Sequence, residues 1–428
     1  MSSHLLRRNA IAAGIQVTVS ALILFLAYRI IAKRFGLTEF GSWVMVTAVI
    51  GFFKFSDFGI SGIAAAAISK SKEETRHLVL TRLVLSAVFL IFSSFLAIFL
   101  ALILSQRFGW MRADSAGREL AIFLKYWGFW LTGALFSALT LVFQSVMDGL
   151  FMVVSKSIVI ILGQSTFLLL VVILPPGLGI EALVHSFFWQ QAVTFLGLFC
   201  VLLFGRKFIF HRESFKIFEE LRKVWRKGIA SQAVNVLSLT YDPLTKFLLI
   251  QWSGPEFVAL FELAQRMVLQ TRTVFVSVQQ VALPKMSRML DGELSELRRF
   301  FQGEARKIFS RSSLIFVLLM MASPVASFFL LSRVDSMLIT YMGILVVGNW
   351  FNLLSLPAYL FLQAELRMRP IVLSHFVIAL GNFGFSYLFA VLFTKNLAPV
   401  LGLGLSLGAS GLALKSWFSQ NYKNVVGR

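Results

Sequence analysis

Apolar runs of roughly 20 residues, the length that crosses the ~30 Å hydrocarbon core of a bilayer as a helix, follow one another along almost the whole chain. They lie near residues 10 to 32, 40 to 68, 79 to 104, 121 to 147, 157 to 175, 180 to 205, 229 to 250, 257 to 281, 307 to 331, 336 to 361, 371 to 393 and 397 to 418. Hydrocarbon offers no water to satisfy backbone N–H and C=O groups, so each run must close its hydrogen bonds within itself. The pattern predicts an all-α polytopic membrane protein of about twelve transmembrane helices. Of the 428 residues 58% are hydrophobic and 14% charged, too little polar surface to cover a water-soluble globule. The first run follows Arg7 and Arg8 as a signal peptide would. It nevertheless continues to about Ala32 and ends in Lys33 and Arg34 without an A-x-A cleavage pattern, which reads as a retained helix.

A formal charge of +20, from 40 Lys and Arg against 20 Asp and Glu, would point to nucleic acid on a soluble protein. Here the charge lies mostly in short connections. An even span count puts both termini on one side, and sorting Lys and Arg by side places about 27 with the termini and about 8 opposite. By the positive-inside rule both termini are cytoplasmic, in a multi-pass protein of the cell inner (cytoplasmic) membrane, and no nucleic acid partner is expected.

Two connections carry most of the excess. Residues 206–227 hold Arg206, Lys207, Arg212, Lys216, Arg222, Lys223, Arg226 and Lys227 beside Phe215, Phe218, Leu221 and Trp225 at helical spacing. That predicts an amphipathic helix lying among the headgroups. It separates an N-terminal six-helix lobe, 1–205, from a C-terminal six-helix lobe, 228–428, with 206–227 as a cytoplasmic amphipathic linker. The second connection mixes Lys285, Arg288, Arg298, Arg299 and Arg306 with Asp291, Glu293, Glu296 and Glu304. Outward connections are short, the longest, 106–119, being about fifteen residues. None could hold an external catalytic domain, which argues against a membrane glycan polymerase or ligase and against an enzyme.

Cys200 is the only cysteine, and His4, His77, His185, His211 and His375 are scattered without ligand spacing, so neither a thiolate cage nor a metal site is expected. No G-x-x-x-x-G-K-[ST] is present, so ATP hydrolysis at such a loop is ruled out and no cofactor is implied. An internal echo links the halves. Gly36-Leu37-Thr38-Glu39-Phe40-Gly41-Ser42-Trp43 follows the first span, and Gly254-Pro255-Glu256-Phe257-Val258-Ala259-Leu260-Phe261 follows the seventh. A repeat of six helices would place them so, and transporters built from repeats hold substrate at the repeat interface.

An ionisable side chain at mid-bilayer costs about 2.5 to 3.5 kcal/mol on insertion scales, so each one needs a reason. In the seventh span Ser231, Asn235, Ser238, Asp242 and Lys246 recur at three- and four-residue steps beside Pro243. In the eighth, Glu262, Arg266, Gln270, Thr273, Ser277 and Gln280 occupy a sector of roughly 80°. Two readings stand: Asp242 with Lys246 and Glu262 with Arg266 are i,i+4 pairs that neutralise each other and hold helices together, or the stripes line a hydrated cavity. The second span adds Lys54 and Asp57. Excess Lys and Arg in a cavity would suit an anionic headgroup such as a diphosphate. Asp57, Asp242 and Glu262 are candidates for coupling to a proton or sodium gradient, with Glu365 a weaker one beside Arg367 and Arg369. Arg29 and Lys125 lie near span ends, where long side chains snorkel.

Several segments resemble the Wzx-type polysaccharide flippases of the multidrug/oligosaccharidyl-lipid/polysaccharide (MOP) exporter superfamily. Ala32-Lys33-Arg34-Phe35-Gly36-Leu37-Thr38-Glu39-Phe40-Gly41 is similar to that family's A-r-x-L-G-p-x-x-y-G, and Asp57-Phe58-Gly59 to its D-L-G late in the second helix. Asp242 followed by Gly254 to Ala264 resembles its D…G-x-x-x-v-a-x-y-x-x-A run, and Leu283-Pro284-Lys285-Met286-Ser287 its P-x-x-s element. Trp43 and Phe261 stand where the family has Tyr, and Pro255 is atypical. The resemblance implies two six-helix lobes around a central cavity, alternating access, and an undecaprenyl-diphosphate-linked glycan, of O-antigen type, as substrate. It also implies a polysaccharide polymerase and glycosyltransferases as partners. The residues implied at the substrate cavity are Lys54, Asn235, Asp242, Lys246, Glu262, Arg266, Gln270 and Gln280. The alternative within the same superfamily is a cation-coupled exporter of small amphipathic compounds.

Overall fold

The structure is a computed structural model that describes residues 3–57, 59–71, 73–107, 118–205, 217–280, 294–365 and 367–423. The backbone of 217–227 is helical and continuous with the seventh run, while the first half of the linker, 206–216, the segment 281–293 and most of the outward connection at 106–119 lie outside the described residues. The side chains of Lys54, Asp57, Asn235 and Gln280 do as well.

Fifteen α-helices account for nearly all of the described residues, with no strand among them. In order they are α1 Ser3–Arg34, α2 Gly36–Ile50, α3 Ile60–Lys70, α4 Glu73–Arg107, α5 Arg118–Lys125, α6 Trp127–Gly149, α7 Val153–Ile173 and α8 Ile180–Phe204. There follow α9 Ile217–Trp252, α10 Pro255–Gln280, α11 Leu294–Leu331, α12 Ser336–Leu353, α13 Leu356–Ala364, α14 Met368–Leu392 and α15 Ala398–Asn421. Among the described residues ten helical stretches are long and apolar enough to cross a membrane, each at a predicted run. The seventh and eighth runs fall on α9 and α10, which at 36 and 26 residues are long enough. They are less apolar than the other ten because they carry the charges described below. The second run is not one helix: α2 gives way to a 3-10 segment, Gly51–Asp57, and α3 starts after Gly59 at φ 85°, a left-handed conformation that glycine enters without steric cost.

The chain forms two compact units, Met1–Gln232 and Ala233–Arg428. In the first, α7 packs on α1 and α8, and α6 packs on α3, α4 and α8. Lipid supplies no hydrophobic drive between helices, so their contact rests on close packing and on shared polar groups. Tyr28, Phe40, Trp43 and Phe167 form one aromatic cluster joining α1, α2 and α7. Phe136, Phe143, Phe195 and Phe199 stack between α6 and α8. The guanidinium of Arg34 donates to the carbonyls of Val171 (2.8 Å), Val172 and Leu174 (3.2 Å). It thereby satisfies the orphan C=O groups at the end of α7 and sets a cation against the negative end of the helix dipole.

In the second unit, α15 packs on α12 and α14. Gly348 of α12 meets Gly404 of α15 so closely that a methyl group on Gly348 would collide with the Gly404 backbone. Further along, a Cβ on Gly411 would strike the backbone of Asn352. Between α14 and α15, Ser374 and Ser410 share a 2.7 Å hydrogen bond. Outward, large apolar side chains lie open, Val391 at 84% and Met321 at 73% exposure among them, which only a hydrocarbon solvent accommodates.

The repeated motif has a structural counterpart: Gly36 and Gly254 both take positive φ, 82° and 98°, each at the start of a helix. Gly254 N–H donates to the Leu249 carbonyl at 3.1 Å and so closes α9. Pro255, atypical of the resembled motif, occupies the first turn of α10, where its fixed φ suits a helix and no donor is lost. The glycine contact generates a test. Gly348→Leu should destabilise the purified protein by about 1–3 kcal/mol or more, read as a fall in Tm in detergent. Gly384→Ala, at a site with nothing within 4 Å of a new Cβ, should leave Tm unchanged.

Candidate functional site

Ser253 and Gly254 join α9 to α10 in a tight turn, so positions equidistant from Gly254 come to the same level. Lys246 and Glu262 are each eight residues away, roughly 12 Å down the helices, while Asp242 and Arg266 are each twelve away, roughly 18 Å down. A cation stands opposite an anion at both levels. Lys246 Nζ lies 2.8 Å from Asp242 Oδ2 and 2.7 Å from Glu262 Oε2, and Arg266 Nε contacts Glu262 Oε1. The result is one alternating chain, Asp242, Lys246, Glu262, Arg266. Its two inner members are 3% and 2% exposed, while the outer Asp242 and Arg266 are 28% and 40% exposed.

Both i,i+4 pairs therefore form, and the Lys246–Glu262 contact turns them into a link between helices. Pro243, inside α9, removes one ladder donor next to Asp242. Asn382 of α14 meets the distorted turn, donating at 3.0 Å to the Tyr241 carbonyl and at 2.8 Å to the Thr245 hydroxyl. Gln270 is half-buried. Glu365 is engaged at a helix end outside the spans: Arg367 lies at 3.4 Å and the Tyr422 hydroxyl donates to it. Burial and that carboxylate push the Tyr422 phenol up to about 12, which keeps it a donor at physiological pH.

Sequence reasoning missed a second centre, around Arg272 of α10. Its guanidinium donates to Asn352 Oδ1 at 2.8 Å and Asn349 Oδ1 at 3.5 Å, both on α12. Tyr241, Tyr359 and His375 lie close enough to feel its charge. The Tyr359 and His375 rings meet edge to face at 6.3 Å. Among the described residues no carboxylate pairs with Arg272. Arg272 Nε and His375 Nδ1 are buried without a hydrogen-bond partner. Five helices, α9, α10, α12, α13 and α14, thus converge on a cation whose neighbours among the described residues are amides, two tyrosines and a histidine. Arg272 lies roughly 80° outside the polar sector of α10, so a search for stripes passes over it. As an arginine inside a predicted span it was visible by residue type alone.

Helical spans with charge in their interior define a multi-span membrane protein, and comparison with known proteins agrees. The chain belongs to the Polysaccharide biosynthesis protein family, whose model matches residues 6–290. No curated protein matches it in sequence. In structure it is similar to a multidrug resistance MATE family transporter of the MOP superfamily in an inward-facing conformation. The two share 14% identity over 96% of this chain and 98% of that one, at a TM-score of 0.71. It is equally similar to the lipid II flippase MurJ in an inward closed conformation, at 15% identity, 98% and 89% coverage and a TM-score of 0.71. A MATE transporter from Vibrio cholerae aligns over 100% and 99% at 13% identity with a TM-score of 0.63. The likeness is one of fold, and it is the fold that the helix-flanking motifs implied.

The charged chain makes a quantitative prediction. Lys246→Met, which leaves two carboxylates without their shared cation, should cost about 3–5 kcal/mol of stability. Combining it with Glu262→Gln should recover at least about 1 kcal/mol of that loss in a double-mutant cycle on the purified protein. Strictly additive losses would mean that the two side chains do not depend on each other.

Proposed function

We propose that the protein flips a polyprenyl-diphosphate-linked oligosaccharide across the cytoplasmic membrane by alternating access, for surface polysaccharide biosynthesis. The observation that carries this reading is Arg272: a cation without an acidic partner among the described residues, deep in a span, in a chain of the polysaccharide biosynthesis family. An intramembrane charge left unpaired is costly, and a diphosphate is the ligand that supplies the missing anion through charge-assisted, bidentate hydrogen bonds. Arg266, at the open end of the charged chain, is the second cation toward the headgroup. Lys246 is a positioning residue, since both its neighbours are carboxylates. Lys54, Asn235, Gln270 and Gln280 complete the proposed cavity, and the polyprenyl tail stays in lipid.

Coupling falls to Asp242 in this reading. With both acids ionised the chain Asp242, Lys246, Glu262, Arg266 is neutral. Adding a proton or a sodium ion at Asp242, whose Oδ1 is buried without a partner, makes it +1 and favours an anionic headgroup. Glu262, held by two cations, stays structural, and Asp57 is the counterpart acid of the first half. Both termini face the cytoplasm, where glycosyltransferases deliver the substrate, and a polymerase receives it on the far side. The cation-coupled exporter of small amphipathic compounds draws on the same chain, which with both acids ionised is neutral and offers a cationic drug no repulsion. It predicts drug resistance on overexpression and unchanged surface glycan.

Arg272→Gln should lower surface glycan by about tenfold or more, the equivalent of at least about 1.4 kcal/mol of headgroup interaction, at unchanged protein level in the membrane. Arg272→Lys should retain part of the export. Normal export by Arg272→Gln would overturn the reading. Asp242→Asn should make the residual transport insensitive to collapse of the ion gradient, and a full response to uncoupler in that variant would remove Asp242 from coupling.

A further inference from the structure

At the end of the second unit that carries the C-terminus, the start of α11, the turn between α12 and α13 and the end of α15 enclose a cavity of about 350 Å³. Its polar lining is Arg306, Lys415, Gln302 and Ser419, and Pro357 and Phe418 contribute to its apolar wall. Both cations are exposed, and no ion pair engages either among the described residues. The acid nearest along α11, Glu304, is taken by Lys307 at 2.8 Å. Two free cations therefore face one small cavity at the level where helices leave the hydrocarbon.

The surface that runs on from this cavity says what fills it. On the face of α11 that carries Arg306, at 100° per residue, stand Val317, Met320, Met321 and Phe328. All are large, apolar and open, at 54%, 43%, 73% and 61% exposure. Beyond Ser310 and Ser313 on the same face, the cationic recess is thus followed by an apolar stripe several turns long. That order, charge at the interface and hydrocarbon below it, is the order of a phospholipid, and basic recesses between helices at a membrane face bind anionic headgroups. The cavity has room for a phosphoglycerol headgroup. A choline or ethanolamine headgroup would set its own ammonium against Arg306 and Lys415. A free phosphate would forgo the apolar stripe and rest on exposed ion pairs, which are worth little in water.

We propose that this cavity binds the headgroup of an anionic membrane phospholipid between Arg306 and Lys415, with an acyl chain lying along the open face of α11. The site is separate from the residues assigned to transport, so it stands or falls independently of the flippase reading.

The test uses the purified full-length protein in detergent, with lipid adducts counted by native mass spectrometry and Tm followed by thermal unfolding. Phosphatidylglycerol should bind and raise Tm well above the level reached with phosphatidylcholine, and inorganic phosphate should do neither. Arg306→Ala combined with Lys415→Ala should weaken phosphatidylglycerol binding by about tenfold or more. The charge-preserving pair Arg306→Lys and Lys415→Arg should keep it and shows that the cavity still folds. Equal retention of phosphatidylglycerol by the double alanine variant, equal binding of phosphatidylcholine, or the same Tm rise with inorganic phosphate would each overturn the proposal.

Discussion

Hydrocarbon solvates neither backbone amides nor charged side chains, and the molecule is arranged around that constraint. Helices meet the first half of it, since each closes its own ladder. Where a ladder ends or breaks within reach of lipid, a side chain takes over. Arg34 covers the last carbonyls of α7, and Asp335 accepts from the Met337 and Leu338 N–H groups at the start of α12. The second half is met by Lys246. Set between Asp242 and Glu262, it lets two helices too polar to count as spans by composition stand together as a neutral unit.

Packing follows from the same solvent. Lipid tails are as apolar as leucine, so apolar area alone does not press helices together and close backbone approach must. In the second unit the glycines at 348, 404 and 411 give α12 and α15 that approach. In the first unit aromatic stacks between α6 and α8 do comparable work. These contacts leave the outer faces of α1, α11 and α14 bare of protein. The side chains there, Leu22, Met321 and Val391, are the exposed apolar kind that a membrane requires.

How far this could be read in advance depended on how local each feature is. Span positions were legible because they depend on composition over roughly 20 residues. Both i,i+4 pairs were legible because helix geometry alone sets them. The contact between Lys246 and Glu262 was not, since it depends on the turn at Ser253 and Gly254 bringing the levels of α9 and α10 into register. The interruption of the second span lay behind Gly51 and Gly59, which in a run of hydrophobic residues look no different from packing glycines. Arg272 escaped because its partners, Asn349 and Asn352, are some eighty positions away and neutral, and a neutral partner leaves no mark in a pattern of charges.

The two centres differ in what they lack, and that difference gives each its role. The chain from Asp242 to Arg266 has equal numbers of acids and bases, so its electrostatics change only when a proton or ion is added. The Arg272 centre has a base and no acid among the described residues, so it gains most when an anion arrives. Pro243 and Asn382 lie where the two centres share helix α9: Tyr241 is beside Arg272 and Asp242 begins the charged chain one residue later. A shift in that turn therefore moves one member of each centre at once. Adjacent residues on a helix point about 100° apart, so a rotation that turns Asp242 away from Lys246 also moves Tyr241 relative to the guanidinium. On the proposed flippase reading, that shared turn is what joins headgroup occupancy at one centre to ion binding at the other.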